Sequence, residues 1–218
     1  KFDGATAVGS KVVFAPHRAD AVGVYDVAYS VFALVDTSSH LSGDAKFSGA
    51  AARGGVAFFA PYNADGVGMY EVGTNRFSLV DISAWSSKQM KFRGAAAFGN
   101  KIVFAPHCES SVGVLDIETK TFSSLSFAGE VSQQQHAFGG VVATTDHAVF
   151  IPASAKAVVA FFFEDHKMAT VNLSGLQIRF AGGAAAVGDV VVLAPSSGQF
   201  GVLTAGTGSP PLVQDGSI

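Results

Sequence analysis

"KFSGAAARGGVAFFAPYNADGVGMYEV" occupies Lys46–Val72, and closely similar stretches begin at Lys1 and at Lys91. Each stretch contains one proline at the same place, and two later prolines continue the series with intervals of 45, 45, 46 and 43 residues. The five positions are Pro16, Pro61, Pro106, Pro152 and Pro195. A fixed period of this size indicates stacked supersecondary units. The sequence therefore predicts five repeats, at approximately 1–45, 46–90, 91–135, 136–178 and 179–218.

The segments within each repeat are short and apolar, and Gly, Pro, Asn or Asp interrupts them. No uninterrupted stripe of apolar residues has the helical spacing, so strands are favoured over helices. The third repeat divides into four strands, Gly94–Phe98, Lys101–Ala105, Val112–Ile117 and Thr121–Ser126. Four antiparallel strands in about 45 residues match the size of a propeller blade.

The chemistry of each strand indicates its position in such a blade. The first strand consists mostly of Gly and Ala, which suits crowding around a central axis. The second is apolar throughout and ends at the proline, as expected of a strand buried on both faces. The third carries a glycine in mid-strand, and the fourth is the most polar, as an outer edge would be. We expect an all-β, five-bladed β-propeller of four-stranded antiparallel blades, forming a single domain that closes by face packing.

Composition and charge limit the kinds of partner and of structural site that the sequence predicts. The formal net charge is −3 over 218 residues, which gives no reason to expect a nucleic-acid partner, since such a partner requires a basic stripe. Cys108 is the single cysteine, which excludes an intramolecular disulfide and a cysteine-based zinc site. The longest apolar run, Ala157–Phe163, is far shorter than the roughly 18 residues that a membrane span needs. The chain opens with Lys1 and shows no signal peptide, so either a leader was removed or this is a fragment.

The phrase at Lys46–Val72, with its counterparts at Lys1–Val27 and Lys91–Ile117, resembles a repeat of microalgal propeller-like proteins, which have blades of the WD or kelch kind. The resemblance covers the first three repeats well, the fifth loosely and the fourth poorly. It implies a propeller fold and a plastid or other organellar location. It also implies a role as a peripheral subunit of a large photosynthetic or other organellar membrane complex, and it transfers no catalytic residue.

Strand direction predicts which loops share a face. If the first strand runs down, the loops after the second strands and the segments between blades all lie on the upper face. The candidate partner-binding residues there are His17, Asp20, Tyr62, Asn63, Asp65, Trp85, His107 and Glu109. Their neighbours Arg18, His40, Asp44, Lys88, Gln89 and Cys108 share this face. The alternative is that Asp and Asn at these positions only cap turns.

Motifs for catalysis are missing from the sequence: it has no GxSxG elbow, no P-loop and no dinucleotide fingerprint. No two-ligand metal turn such as HxxxH occurs either, so we predict no enzyme activity, no cofactor and no metal. The leading hypothesis is a non-catalytic scaffold that binds other proteins. The first alternative is a ligand- or carbohydrate-binding propeller. The less favoured alternative is a hydrolase with its active site at the mouth of the central channel.

The fourth repeat departs from its siblings. The third strand of the first three repeats contains a glycine and ends on a carboxylate. In the fourth repeat Val159 replaces the glycine, and the strand runs into Phe161, Phe162 and Phe163. Three consecutive strand residues must point to both faces of a sheet. They either thicken the core or form an apolar patch at the rim that docks a partner.

Overall fold

The computed structural model describes residues 1–126, 136–164, 167–173, 179–197, 200–204 and 212–216. These residues form five four-stranded antiparallel sheets, one from each repeat-length segment. Sheet 1 contains β1 (Phe2–Val8), β2 (Lys11–Pro16), β3 (Ala21–Asp26) and β4 (Val31–Asp36). Sheet 2 contains β5 (Phe47–Arg53), β6 (Val56–Pro61), β7 (Gly66–Glu71) and β8 (Arg76–Asp81). Sheet 3 contains β9 (Phe92–Phe98), β10 (Lys101–Pro106), β11 (Ser111–Asp116) and β12 (Phe122–Ser126).

Sheet 4 contains β13 (Phe138–Ala143), β14 (His147–Pro152), β15 (Ala157–Phe162) and β16 (Lys167–Asn172). Sheet 5 contains β17 (Arg179–Val187), β18 (Val190–Ser197), β19 (Phe200–Thr204) and β20 (Leu212–Gly216). In every sheet the strands lie side by side in chain order. The all-β class and the four-stranded antiparallel sheets are thus confirmed, and the strands of the third repeat lie within two residues of their predicted bounds.

The innermost strands β1, β5, β9, β13 and β17 pack in succession. A glycine near the start of each of the first four allows the backbones to meet. A Cβ on Gly49, whose φ is +102°, would lie 2.5 Å from the Cα of Gly94. A Cβ on Gly94 would lie 2.7 Å from the Cα of Gly140. Since no side chain fits in this space, the close approach of consecutive sheets requires glycine here.

The mid-strand glycine of the first three repeats accommodates aromatic rings. A Cβ on Gly68 would lie 2.8 Å from ring atoms of both Phe47 and Phe59. Gly113 has the same relation to Phe92 and Phe122. A side chain at the third-strand position would therefore clash with phenylalanines of the first, second and fourth strands, which explains why glycine occupies it.

Apolar side chains of adjacent sheets form the core. Val13 and Val22 of sheet 1 pack with Phe47 and Phe59 of sheet 2, and all four are fully buried. Comparable clusters lie between sheets 2 and 3, 3 and 4, and 4 and 5. Each sheet thus covers the apolar face of the next.

The expected closure of five sheets into a ring is not supported. No comparable packing joins β17 to β1 in the part of the chain that the structure describes. Phe32 on the outer face of sheet 1 is 50% exposed, and Val192 on the opposite face of sheet 5 is 42% exposed, whereas their counterparts Phe77 and Val13 are buried. The five sheets form an open arc because neither terminal face covers the other.

Among the described residues there is no helix long and apolar enough to cross a membrane.

Candidate functional site: the upper face of the arc

The upper face is formed by the loops after β2, β6, β10 and β14 together with the segments that join consecutive sheets. Backbone hydrogen bonds connect the two: Lys46 N donates to His17 O (2.9 Å), and Lys91 N donates to Tyr62 O (2.8 Å). Ala137 N donates to His107 O over 3.0 Å. The loops and joining segments that the sequence assigned to one face do lie together.

The same backbone geometry holds the loop of each of these repeats. His17, Arg18 and Ala19 donate their N–H groups to Lys1 O at 2.9–3.0 Å. Tyr62 and Ala64 bond to Lys46 O in the same way. His107 N bonds to Lys91 O, and Ala153 N bonds to Ala137 O, both over 2.9 Å. In the first four repeats the residue after the proline therefore has the same backbone environment, whatever its side chain.

Three side chains at these places, His17, Tyr62 and His107, form a row of rings with His136 of the segment before sheet 4. This row is here called the mouth row. The ring centroids of His17 and Tyr62 lie 5.8 Å apart, and those of Tyr62 and His107 lie 5.7 Å apart. The ring of His136 continues the row at 4.6 Å from His107. His136 was missed at the sequence level because it precedes the fourth sheet and has no histidine at the equivalent position of other repeats.

His107 is the most buried member of the row, with 4% of its surface exposed. Its Nδ1 lies 2.9 Å from Phe138 O and its Nε2 lies 2.7 Å from His136 Nδ1. Since a carbonyl only accepts, Nδ1 carries the proton and Nε2 accepts from His136. Burial lowers the pKa of His107 below 6.5, the hydrogen bond to Phe138 O opposes this, and the charges of His136 and Arg93 add to the lowering.

Near the row lies a second set of polar residues that sequence reasoning missed: Asp3, Ser48 and Arg93. Each follows the opening phenylalanine of its repeat, so an alignment of that position would have found them. The Ser48 hydroxyl donates to Asp3 Oδ2 over 2.8 Å. Burial raises the pKa of Tyr62, and the positive charge of Arg93 opposes it. Arg93 therefore acts electrostatically on both Tyr62 and His107.

Two buried lysines, also missed, connect neighbouring sheets on this face. Lys46 is 1% exposed, and its Nζ donates to Asp20 Oδ1 (3.1 Å) and Gly43 O (2.8 Å). Lys91 is fully buried and donates to Lys88 O over 2.8 Å. Burial lowers the pKa of Lys91, while the charges of Asp65 and Glu109 oppose this. Their stems fill the junction and their ammonium groups satisfy loop carbonyls.

Several predicted partner-binding residues prove to have structural roles. Trp85 stacks on Phe92 at 5.6 Å and meets Phe122 edge-on at 5.0 Å. Glu109 is buried and accepts hydrogen bonds from the Ser86 hydroxyl and from Lys88 Nζ. The side-chain oxygen of Asn63 accepts from Met90 N over 2.9 Å, so Asn63 connects its loop to the segment before sheet 3.

Asp20 and Asp65 remain exposed on the upper face. Asp65 lines a groove of about 400 Å³ with His40 and Asp81, between the segment after sheet 1 and sheet 2. The accessible residues on this face therefore include His17, Arg18, Tyr62, His136 and the two aspartates.

The proposed rim patch of phenylalanines is corrected by the structure. Phe161 is 2% exposed and lies in the core between sheets 3 and 4. Phe163 stacks on Phe98 with centroids 3.9 Å apart, and Phe162 packs against His147 at 4.9 Å. Phe162 and Phe163 are half-buried and pack against the core clusters on the two sides of sheet 4, so together with Phe161 they thicken the core.

Among the described residues, no three His, Cys, Asp or Glu side chains are placed to hold a metal ion. Cys108 Sγ lies 3.9 Å from His136 Nδ1, but that nitrogen already faces His107. At the lower edge, Thr144 and Asp146 both contact Nδ1 of His147, while its Nε2 has no partner. Because both contacts fall on one nitrogen, this cluster has no proton relay.

No protein-family model and no curated protein matches the chain. Solved structures do match in fold. The chain is similar to the computationally designed Ika8 protein (16% identity, TM-score 0.65), covering 93% of this chain and 58% of that one. It is similar to Kuenenia stuttgartiensis hydrazine synthase (10% identity, TM-score 0.70), covering 98% and 65%. It is also similar to the WD40 repeats of RRP9 (11% identity, TM-score 0.63), covering 98% and 80%.

These likenesses, together with the repeated four-stranded sheets, define a WD40-like, propeller-type all-β fold. The chain spans less than two thirds of the length of the designed protein and of the hydrazine synthase that it matches. At identities of this level the comparison concerns the fold alone.

Proposed function

We propose that the five sheets act as blades of a non-catalytic propeller, and that its upper face binds other proteins. The observation that supports this proposal most directly is the mouth row and the loops that hold it. In the first four repeats, backbone bonds of one kind fix the residue after the proline, yet the side chains there differ: His17, Tyr62, His107 and Ala153. A rigid scaffold that displays varied side chains on loops is the usual construction of a recognition surface.

The chemistry of the accessible residues fits a protein partner. Half-buried rings of His17 and Tyr62 offer apolar area with polar edges, and aromatic residues are enriched at interface centres. Exposed Arg18, Asp20 and Asp65 surround them, as polar groups surround an interface core. Repeated sugar pockets would need the same side chains in each repeat, so the varied loops favour a single extended partner over the carbohydrate-binding alternative.

The test places a photo-crosslinking amino acid at Arg18 or at Asp65, both exposed on the upper face. Glu118, exposed in the hairpin at the opposite edge, provides the matched control. After irradiation in an extract of the source cells, protein adducts should form from positions 18 and 65 and not from 118. A His17→Ala/Tyr62→Ala variant should lose those adducts. Equal adducts from both faces, or adducts that survive the double substitution, would contradict the proposal.

The finer role implied by the microalgal resemblance, a peripheral subunit of an organellar and photosynthetic membrane complex, is part of this proposal and rests on the resemblance alone. Native isolation of the chain followed by mass spectrometry tests it. Co-migration with plastid membrane subunits would support it. Migration as a small species, with upper-face adducts still formed, would refute the organellar role and leave the interaction role standing.

A further inference from the structure

The outer face of sheet 1, here called the free face, carries Phe2, Val12, Phe14, Tyr25 and Phe32. These residues occupy the positions of Phe47, Ala57, Phe59, Tyr70 and Phe77 in sheet 2. In sheet 2 all five are buried against sheet 1, with exposures of 0–5%. In sheet 1 Phe32 is 50% exposed and Leu34, next to it, is 61% exposed. The free face therefore has the side chains of an inter-sheet interface.

The spacing of the aromatic rings on the free face is similar to that on a covered face. The rings of Phe2, Phe14 and Phe32 lie 5.8–6.2 Å apart. The corresponding rings of sheet 3, Phe92, Phe104 and Phe122, lie 5.9–6.2 Å apart. The ring planes of Phe14 and Phe32 are 62° apart, whereas those of Phe104 and Phe122 are 28° apart, so the uncovered fourth-strand ring is turned. The free face therefore has the ring spacing of a covered face, and a neighbour needs only to reorient Phe32.

In the covered interfaces, the neighbour reaches the fourth-strand phenylalanine with one ring from the joining segment. His40 lies 5.7 Å from Phe77, and Trp85 lies 5.0 Å from Phe122. Each of these residues precedes the opening lysine of the covered sheet, Lys46 or Lys91, by six positions. The side chains that cover a sheet thus come from the repeat that directly precedes it in the chain.

The opening lysines give a second, independent sign. Lys46 and Lys91 are buried because the loop and joining segment of the preceding repeat surround them, and their ammonium groups donate to those segments. Lys1 occupies the same position, and its carbonyl accepts the same loop bonds, but its side chain is exposed. A polar junction is therefore prepared at sheet 1 beside the apolar one.

We propose that the free face of sheet 1 is a docking surface for a further four-stranded sheet of this same repeat, joined to Lys1 in the register in which Met90 is joined to Lys91. This surface is separate from the mouth row and does not depend on what the upper face binds. Its occupant presents a counterpart of Phe58 and Val67, the side chains with which sheet 2 covers sheet 3, and a ring six positions before Lys1.

The test fuses a second copy of residues 46–90 ahead of Lys1, so that Met90 of the copy precedes Lys1. Amide hydrogen exchange is then measured across β3 and β4. Docking of the copy should slow exchange there at least tenfold and should bury Phe32. The control fusion carries Phe58→Ser and Trp85→Ser in the added copy only, which removes the covering side chains and should leave exchange as in the original chain.

Two results would overturn the proposal. Exchange across β3 and β4 that is equally fast in both fusions would show that a repeat does not dock. Protection that appears in the original chain as its concentration rises, with dimers seen by light scattering and lost on Phe32→Ser substitution, would show that a second copy occupies the face.

Discussion

At the residue scale, glycines determine how closely the sheets approach. Gly4, Gly49 and Gly94 have φ values of +92° to +102°, and a Cβ on each would overlap the backbone of the next inner strand. Gly54 also has a positive φ, +56°, but a Cβ there would meet nothing within 4 Å. Glycine is thus required for two different reasons. At Gly4, Gly49 and Gly94 it allows the inner strands to pack closely, whereas at Gly54 it allows the backbone conformation of a turn.

Gly49→Ala should therefore destabilise the protein by about 2–5 kcal/mol, since it combines an unfavourable φ with overpacking against backbone that cannot move aside. Gly54→Ala, the matched control, should cost only about 1–2 kcal/mol because the strain at φ remains and the clash does not. Urea unfolding of both variants measures the difference. Equal costs would mean that the inner strands do not pack as described.

His107 makes stability depend on pH. Its folded pKa lies below 6.5 through burial, so the folded state stays neutral while the unfolded chain takes up a proton. Stability is thus fully present above pH 6.5 and is lost as the pH falls below it, by at most about 1.4 kcal/mol per pH unit for one proton. The aspartates with lowered pKa values, such as Asp26 and Asp116, titrate below 3.8 and do not interfere above pH 5.

His107→Gln should flatten the stability profile between pH 7.5 and pH 5 relative to the original chain. The amide of glutamine can still donate to Phe138 O, so stability at pH 7.5 should change less than it does at pH 5. Urea unfolding at several pH values provides the measurement. Parallel profiles for the two proteins would show that His107 is protonated equally in the folded and unfolded states.

At the element scale, sheet 4 fills its interior with different side chains from those used in sheets 1–3. Val159 stands where the third-strand glycine stands in sheets 1–3, and Met168 stands where the fourth-strand phenylalanine stands. A larger residue on β15 is thus balanced by a more flexible one on β16, and both pack in the core between sheets 3 and 4. The fourth repeat therefore fills the corresponding interior space with a different pair of side chains.

Val159→Gly should cost about 2–4 kcal/mol through a cavity and the added chain entropy of glycine. Met168→Phe alone should cost about 1–3 kcal/mol by overpacking against Val159. The double variant restores the glycine–phenylalanine pair of the other sheets, so it should be more stable than the sum of the single effects implies. Additive costs in thermal or urea unfolding would show that the two positions do not share one space.

At the scale of the whole molecule, the arc leaves chemically equivalent residues in unequal surroundings. Phe77→Ala removes a ring buried between sheets 1 and 2, and should cost about 3–5 kcal/mol. Phe32→Ala removes the same ring from the half-exposed free face, and should cost about 1–2 kcal/mol. Urea unfolding compares the two. Equal costs in the isolated chain would mean that Phe32 is covered in solution.

Much of this was predictable from the repeat. Pro16, Pro61 and Pro106 gave the period, and the small first strand and apolar second strand gave each strand its position in the sheet. The site was predictable only in part. The sequence placed His17, Tyr62 and His107 on one face, but it could not separate Glu109 and Trp85, which are used inside the fold, from Asp65, which is accessible. Burial of a polar side chain depends on what neighbouring sheets place around it.

The sequence by itself determined the strand chemistry and the repeat, because these follow from local alternation, turn residues and spacing. It did not determine closure, since whether the last sheet meets the first depends on the small rotation between neighbours summed over all five sheets. Only the tertiary structure decided that the phenylalanines of β15 point inward, that Lys46 and Lys91 are buried, and that sheet 1 keeps an apolar face free. Each of these depends on which surface lies opposite a residue, and that surface comes from another repeat.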